Sequence, residues 1–329
     1  MGDSAAKPHD ALFRHFIGQP SNAAAQARPV ITSALAARID WSSLALESIS
    51  FVSRHLRGTY SDLLFSARFD GRDAYLYLLL EHQSSSDHFM SLRMLDYMVS
   101  IWNRYLRDHP KSKTLPLVIP IVVHASPDGK RWTAPTDVAD LIDLGPDLRA
   151  AFDQHVPHLR FLLDDLTAAT IDELYARPNI PETLALQVLL KTAPDNQRLD
   201  SDLKRLLPAL MALVGDDLIA ILTYIVSVGD TPDERLQPIV DSIGPEAKEA
   251  FVTTADRLRT EGRTEGRAEG RVEGRIAALR EMLTELLTIK FGNLPTKITD
   301  AVSRADQEQL RRWTTRSATA TSLSDMRIA

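Results

Sequence analysis

Along HDALFRHFIG, the apolar residues Leu12, Phe13, Phe16 and Ile17 recur at helical spacing and predict a short helix. NAAAQARPVITSALAARI predicts a second helix, interrupted near Pro29, where proline removes a backbone donor. The period then changes. ALESISFVSR, TYSDLLFSARF and AYLYLLLEHQ are rich in β-branched, aromatic and aliphatic residues with turn signals between them, so they predict strands. DHFMSLRMLDYMVSIWNRYL returns to helical spacing, with Met90, Met94, Met98, Ile101 and Tyr105 along one side and Ser86 or Asp87 placed to cap it. LPLVIPIVVH predicts a buried strand in which Pro120 favours an edge or a bulge, and HLRFLLDDL predicts a further strand. Beyond about residue 166, PETLALQVLLKTA, LKRLLPALMALVG, DLIAILTYIVSVG, PEAKEAFVTTADRLR and IAALREMLTELLTIKFG all show helical spacing.

This order predicts an α/β unit with a mixed sheet flanked by helices over residues 1–165, and a helical unit over 166–259. A repeat follows over 260–275, and a small helical domain over 276–329. The chain has 329 residues, enough for two or three compact units. It has no cysteine, which excludes a disulfide framework, a thiolate zinc site and a thiol nucleophile. MGDSAAKPHDALFRHF lacks a basic-then-apolar signal pattern, and no apolar run reaches bilayer length, so the expectation is a soluble, cytoplasmic chain with no membrane partner. The net charge of −6 gives no global basic signature, so any DNA-binding surface must be local.

The segment SDLLFSARFDGRDAYLYLLLEHQ reads as a hairpin. With Gly71 and Arg72 as a two-residue type II′ loop, Asp70 faces Asp73, Asp62 faces Glu81 and Tyr60 faces Gln83. Leu63, Phe65, Ala67 and Phe69 then share an apolar face with Leu76, Leu78, Leu80 and His82. Like charges placed opposite each other are destabilising. A shared divalent cation explains such a carboxylate pair, since Mg²⁺ takes one or two carboxylates plus waters and phosphate oxygens. On spacing alone a solvated edge, or pairing of each acid with Arg54, Arg57 or Arg68, is the readier explanation.

HDALFRHF, SDLLF, LLLEHQSSSDHFMSLRMLDYM and LPLVIPIVVH together resemble the recombination-promoting nuclease family, also described as YhgA-like transposases, whose members look like compact PD-(D/E)xK (restriction-endonuclease-like) nucleases. The resemblance spans roughly the first half of the chain. It implies that Asp62 and Glu81 hold Mg²⁺ (or Mn²⁺ or Ca²⁺) and that Gln83 stands at the catalytic lysine position, with His82 facing away. It also implies that His9 and Asp10 contribute from the N-terminal helix and that Arg93 and Tyr97 belong to the most specific block. The reaction implied is metal-dependent hydrolysis of DNA phosphodiester bonds in recombination. Glutamine can orient water or donate a hydrogen bond but cannot carry the lysine's charge.

On the residues alone, Asp10 reads as a first-turn acid able to pair with Arg14, Arg93 as able to contact a phosphate or the carboxylates or to form a surface ion pair, and the methionine stripe as core. Lys130 and Arg131 beside Trp132 suit nucleic-acid contact, or a loop with one anchoring tryptophan. The repeat EGRTEGRAEGRVEGR places Glu261, Glu265, Glu269 and Glu273 in one row and Arg263, Arg267, Arg271 and Arg275 in another. Like charges along each row and the recurring glycines oppose an isolated helix. The repeat therefore reads as a flexible linker or as a self-association element in which the acidic row of one copy meets the basic row of another. Alternatives to a nuclease are a catalytically weak DNA-binding or transposase-associated protein, and a non-enzymatic helical module forming a homo-oligomer through its C-terminal helices.

Overall fold

The computed structural model describes residues 8–47, 63–81 and 86–328, and of residues 77–81 the backbone. Asp62, His82, Gln83 and most of the strand predicted over ALESISFVSR lie outside the described residues. The first helices are α1 (Pro8–Ile17), α2 (Pro20–Ala27) and α3 (Ser33–Ala36), the break between the last two falling around Pro29 as the sequence predicts. The sheet strands are β1 (Ile39–Leu46), β2 (Leu63–Phe69), β3 (Arg72–Glu81), β4 (Leu117–His124) and β5 (Leu162–Asp165), and they lie in chain order across the sheet. β1–β2 and β2–β3 are antiparallel, whereas β3–β4 and β4–β5 are parallel, so the sheet is mixed. A parallel pair needs a long crossover. Between β3 and β4 that crossover contains α4 (Met90–Asp108).

Alternation along the strands assigns the two faces of the sheet. Leu63, Phe65, Ala67, Leu76, Ile121 and Val123 pack with Leu12, Phe13, Phe16 and Ile17 of α1. Leu64, Val118 and Val122 pack with Met90, Met94, Tyr97, Met98 and Ile101 of α4. Both faces are thus covered, which explains why β4 reads as an almost unbroken apolar run. The methionine stripe is core, as its spacing suggested. Pro120 lies within the regular β3–β4 register opposite Tyr77, without a bulge. It is tolerated because β5 pairs with β4 only from Ile121 onward, leaving one side of β4 edge-like at Pro120.

The β2–β3 hairpin corrects the expected register. The observed partners are Phe69↔Arg72 at the loop and Leu63↔Leu78 at the far end, so the loop is Asp70-Gly71 rather than Gly71-Arg72. Asp70 and Gly71 both have positive φ, 49° and 75°. Positive φ at both loop positions is the type I′ turn, which matches the strand twist and which Asp-Gly supplies at low strain. The guanidinium of Arg38 donates from Nε to Asp70 Oδ2 at 2.8 Å and holds that carboxylate below its ordinary pKa, first through this hydrogen bond. The slip is two residues, so the described side chains of Leu63–Phe69 and 72–76 keep their expected faces, but the directly facing partners change.

After β4 come α5 (Pro146–Phe152), β5 and α6 (Ile171–Ala176), then α7 (Pro181–Thr192), α8 (Asp200–Leu210), α9 (Gly215–Val228) and α10 (Asp233–Ile243). α11 (Pro245–Phe291) is one helix of 47 residues, followed by α12 (Thr296–Arg304) and α13 (Gln307–Ser317). Two compact units result, Met1–Ala255 and Asp256–Ala329. The boundary expected near residue 165 falls inside the first unit, where α1 also packs against α7 and α9. In the second unit, Leu283 and Leu287 of α11 pack with Ile298, Val302, Leu310 and Trp313.

The EGR repeat departs from the flexible-linker reading, because it lies within α11. Helix nucleation is costly and propagation is cheap, so helical segments on both sides carry the chain through a stretch that alone would not nucleate.

Candidate active site at the carboxyl ends of the parallel strands

Three polar residues close the parallel strands. In register, Glu81 of β3 pairs with His124 of β4, and His124 pairs with Asp165 of β5. By alternation from Val122, the His124 position belongs to the α4 side of the sheet. In open α/β sheets the crevice beyond the strands' carboxyl ends is where ligands bind, because the loops diverge there.

His124 is 1% exposed. Its Nε2 lies 3.1 Å from the backbone oxygen of Lys130, its ring meets Trp132 edge-on, and its Nδ1 is buried with no hydrogen-bond partner among the described residues. Asp165 is half-buried, and backbone amides occupy both its oxygens: Trp132 N donates to Oδ2 at 2.9 Å, and Ala168 N to Oδ1 at 3.1 Å. The two strand-end side chains therefore clamp the loop that follows β4. That loop carries Lys130 and Arg131 on its exposed surface, while half-buried Trp132 anchors it, donating from Nε1 to Ala134 O at 2.7 Å. Thr133 N donates to Ser86 Oγ at 3.0 Å, tying the loop to the segment that leads into α4. Ser86 thus braces the loop instead of capping α4. Asp87 arranges the start of that helix, accepting from Phe89 N at 2.9 Å and pairing with Arg93 at 2.7 Å.

Nearby, Lys191 of α7 donates to the backbone oxygens of Leu166 and Thr167 at 3.1 and 2.8 Å. Burial pushes its pKa down, and Asp165 partly opposes that shift.

On the other side of the sheet, Asp164 is 4% exposed. Arg177 clamps it with two bonds of 2.9 and 2.7 Å, and Gln26 Nε2 donates to it at 2.6 Å. Gln187 continues the chain by donating to Gln26 Oε1 at 2.8 Å. This network joins α2, β5 and α7 by way of paired, hydrogen-bonded charge.

The structure therefore places the backbone of Glu81 and the loop bearing Lys130 and Arg131 at one end of the sheet, and ties that loop through Ser86 to the segment leading into α4 with Arg93. Tyr97 is 2% exposed and belongs to the core under α4. His9 and Asp10 are placed elsewhere. They lie on α1, over the opposite face, where His9 Nδ1 hydrogen-bonds with Tyr224 OH at 2.9 Å and His15 reaches Asp217 at 2.7 Å. Burial pushes the Tyr224 hydroxyl pKa well up, so the group stays neutral. Among the described residues no three metal-ligating side chains cluster. His124, Asp164, Asp165, Arg177 and Lys191 were missed as site or network residues. For His124, Asp164 and Asp165 the one legible signal was a polar residue ending an apolar strand, in IVVH and LLDD, whereas Arg177 and Lys191 carry no such signal.

A mixed five-stranded sheet with flanking helices and polar residues at the carboxyl ends of its parallel strands defines an α/β protein with a candidate site at those ends. The chain belongs to the family described as "Putative transposase, YhgA-like", whose profile matches residues 7–216. It is 29% identical over 259 residues to recombination-promoting nuclease RpnD of Escherichia coli O157:H7, covering 77% of this chain and 95% of that protein. It is 30% identical over 260 residues to recombination-promoting nuclease RpnA of Escherichia coli K12, covering 78% and 84%. It is also 29% identical over 262 residues to a K12 protein named an inactive recombination-promoting nuclease-like protein, RpnE, covering 78% and 83%. No solved structure matches significantly. No helix among the described residues is long and apolar enough to cross a membrane.

Proposed function

We propose that this chain is a divalent-metal-dependent DNA endonuclease acting in recombination, with its site at the carboxyl end of β3. The register of Glu81 beside His124, under a loop bearing Lys130 and Arg131, is the observation that supports this reading most directly. Asp62 precedes β2 by one residue, and the two-residue slip of the hairpin preserves parity. Asp62 itself lies outside the described residues, so its pairing with Glu81 in this reading is carried by the family resemblance.

In this reading Asp62 and Glu81 hold Mg²⁺, or Mn²⁺ or Ca²⁺ in its place. A bound ion supplies charge neutralisation at the phosphate and a more acidic water. Gln83 orients the attacking water through its amide, Lys130 and Arg131 contact the DNA backbone, and Arg93, already paired with Asp87, steadies the start of α4. The PD-(D/E)xK fold is part of the same proposal.

Supercoiled-plasmid nicking tests it. Nicking should require Mg²⁺ or Mn²⁺ and fall at least a hundredfold in Asp62→Ala and Glu81→Gln, with DNA binding retained. DNA binding without cleavage under any divalent metal would instead support a second reading, a DNA-binding relative that does not cut. Gln83 in place of lysine, and relatives named inactive, favour that alternative.

We further propose a homo-oligomer through α11. Met282, Leu286 and Ile289 are 41%, 40% and 77% exposed, at the 4–3 spacing of a helix-pairing seam. The occupant proposed is a second copy of the chain, because the acidic and basic rows of the preceding repeat complement each other between copies.

A further inference from the structure

In the second unit, α11 has two unlike sides between residues 271 and 289. Ile276, Leu279, Leu283 and Leu287 pack into the core shared with α12 and α13. Arg271, Gly274, Ala278, Met282, Glu285 and Ile289 line the opposite side and are all exposed. Their spacings of three and four residues keep them on one face of a 3.6-residue helix. The order of chemistry along that face is what matters. Gly274 and Met282 stand four residues to either side of Ala278, and Arg271 and Glu285 stand seven to either side. Each charge meets its own sign within the helix: Arg267 and Arg275 lie one turn to either side of Arg271, and Glu281 lies one turn before Glu285. Like charges at that spacing destabilise a helix. A Cβ at position 274 would meet no neighbouring atom within 4 Å, so the chain's own packing does not require Gly274, although glycine weakens a helix interior.

We infer that α11 pairs antiparallel with α11 of a second copy of the chain, across a two-fold axis at Ala278. This rests on the proposal that α11 is the self-association surface, and adds direction and register to it. About that axis Arg271 of each copy faces Glu285 of the other, so two opposite-charge contacts offset the repulsion within each helix. Met282 of each copy sits over Gly274 of the other, where the missing side chain lets the two backbones come close. Ala278 meets Ala278 at the centre. Ile289 is 77% exposed and faces Arg267 of the other copy, whose aliphatic stem covers it while the guanidinium stays in water. A parallel pair in register would set Arg271 against Arg271 and Glu285 against Glu285, so charge selects the antiparallel arrangement.

The chain has no cysteine, so a single introduced cysteine reports the register in the full-length protein. Under mild oxidation Ala278→Cys should form a disulfide-linked dimer. Arg271→Cys should not, because the antiparallel register holds the two copies of position 271 about 21 Å apart along the helix. By light scattering, Arg271→Glu and Glu285→Arg should each weaken self-association at least tenfold, and the double variant Arg271→Glu/Glu285→Arg should restore it to within threefold of wild type. An equimolar mixture of the two single variants should also associate. The charge exchange decides the matter if Ala278→Cys does not fold. No disulfide in a folded Ala278→Cys, a disulfide in Arg271→Cys, or a double variant as weak as the single ones would overturn the antiparallel register. In each of those cases a wild-type dimer that Leu286→Glu with Ile289→Glu still breaks would leave the α11 surface standing. A single-chain mass for wild type would remove both.

Discussion

At the scale of single residues, the most consequential group outside the site is Asp164. Its side chain is 3% exposed and that of Arg177 17%, and they form a two-pronged pair. Removing one member of a buried pair leaves an uncompensated charge, so Arg177→Ala should cost about 3–5 kcal/mol in urea unfolding. Arg177→Lys should recover only part of this, because an ammonium cannot span both oxygens. Tyr224 carries a second prediction. Burial raises its folded-state pKa above the unfolded value near 10, so its contribution to stability is complete below about pH 10 and is lost as the pH rises above that. The urea midpoint should therefore drop above about pH 10 in wild type, and drop less in Tyr224→Phe. At neutral pH, Tyr224→Phe should cost about 1 kcal/mol for the lost bond to His9. The acids of the hairpin and the basic pair Lys130–Arg131 could be singled out from residue type and spacing. His124 and Asp165 could not, because their meaning arises from parallel pairing between strands some 40 residues apart in the chain, which local patterns do not encode.

At the scale of elements, local chemistry set the kind of each element better than its pairing. The 2-residue period of SDLLFSARF and AYLYLLLEHQ set which side chains share a face, and the structure keeps those faces. The loop was misplaced by one residue because both Asp-Gly and Gly-Arg satisfy a two-residue turn, and backbone twist then selects type I′. Gly71→Ala, at a φ of 75°, should destabilise the hairpin by about 1 kcal/mol, measured by urea unfolding of the full chain. The EGR repeat illustrates the reverse case. Its residues disfavour a helix locally, yet flanking segments impose one. If α11 pairs with a second copy through its exposed seam, Leu286→Glu with Ile289→Glu should reduce the mass seen by light scattering to that of one chain, with far-UV helicity retained. A single-chain mass for wild type would remove that proposal.

At the scale of the whole molecule, the first compact unit draws on both the α/β part and the helices after residue 166, because α1 serves two partners. It covers the sheet through Leu12, Phe13, Phe16 and Ile17, and it meets α9 through His9–Tyr224 and His15–Asp217. A fragment ending at residue 165 removes α7 and α9 from this core, so it should lose cooperative unfolding, whereas one ending at Ala255 keeps the compact unit. Melting curves of the two fragments check this. By itself the sequence determined the first helix, α4, the strands β2 to β5 and most of the later helices, though not β1, α5, α6 or α10, together with the mixed class, the faces of the described hairpin residues and the family likeness. All of these follow from periods of two and 3.6 residues, turn chemistry and short motifs carried within a few neighbours. Tertiary structure alone decided the strand order, the hairpin's pairing, the union of the two predicted domains and the row Glu81–His124–Asp165. Those depend on which distant segments bury each other's apolar surface, and that is a property of the packed chain rather than of any local stretch.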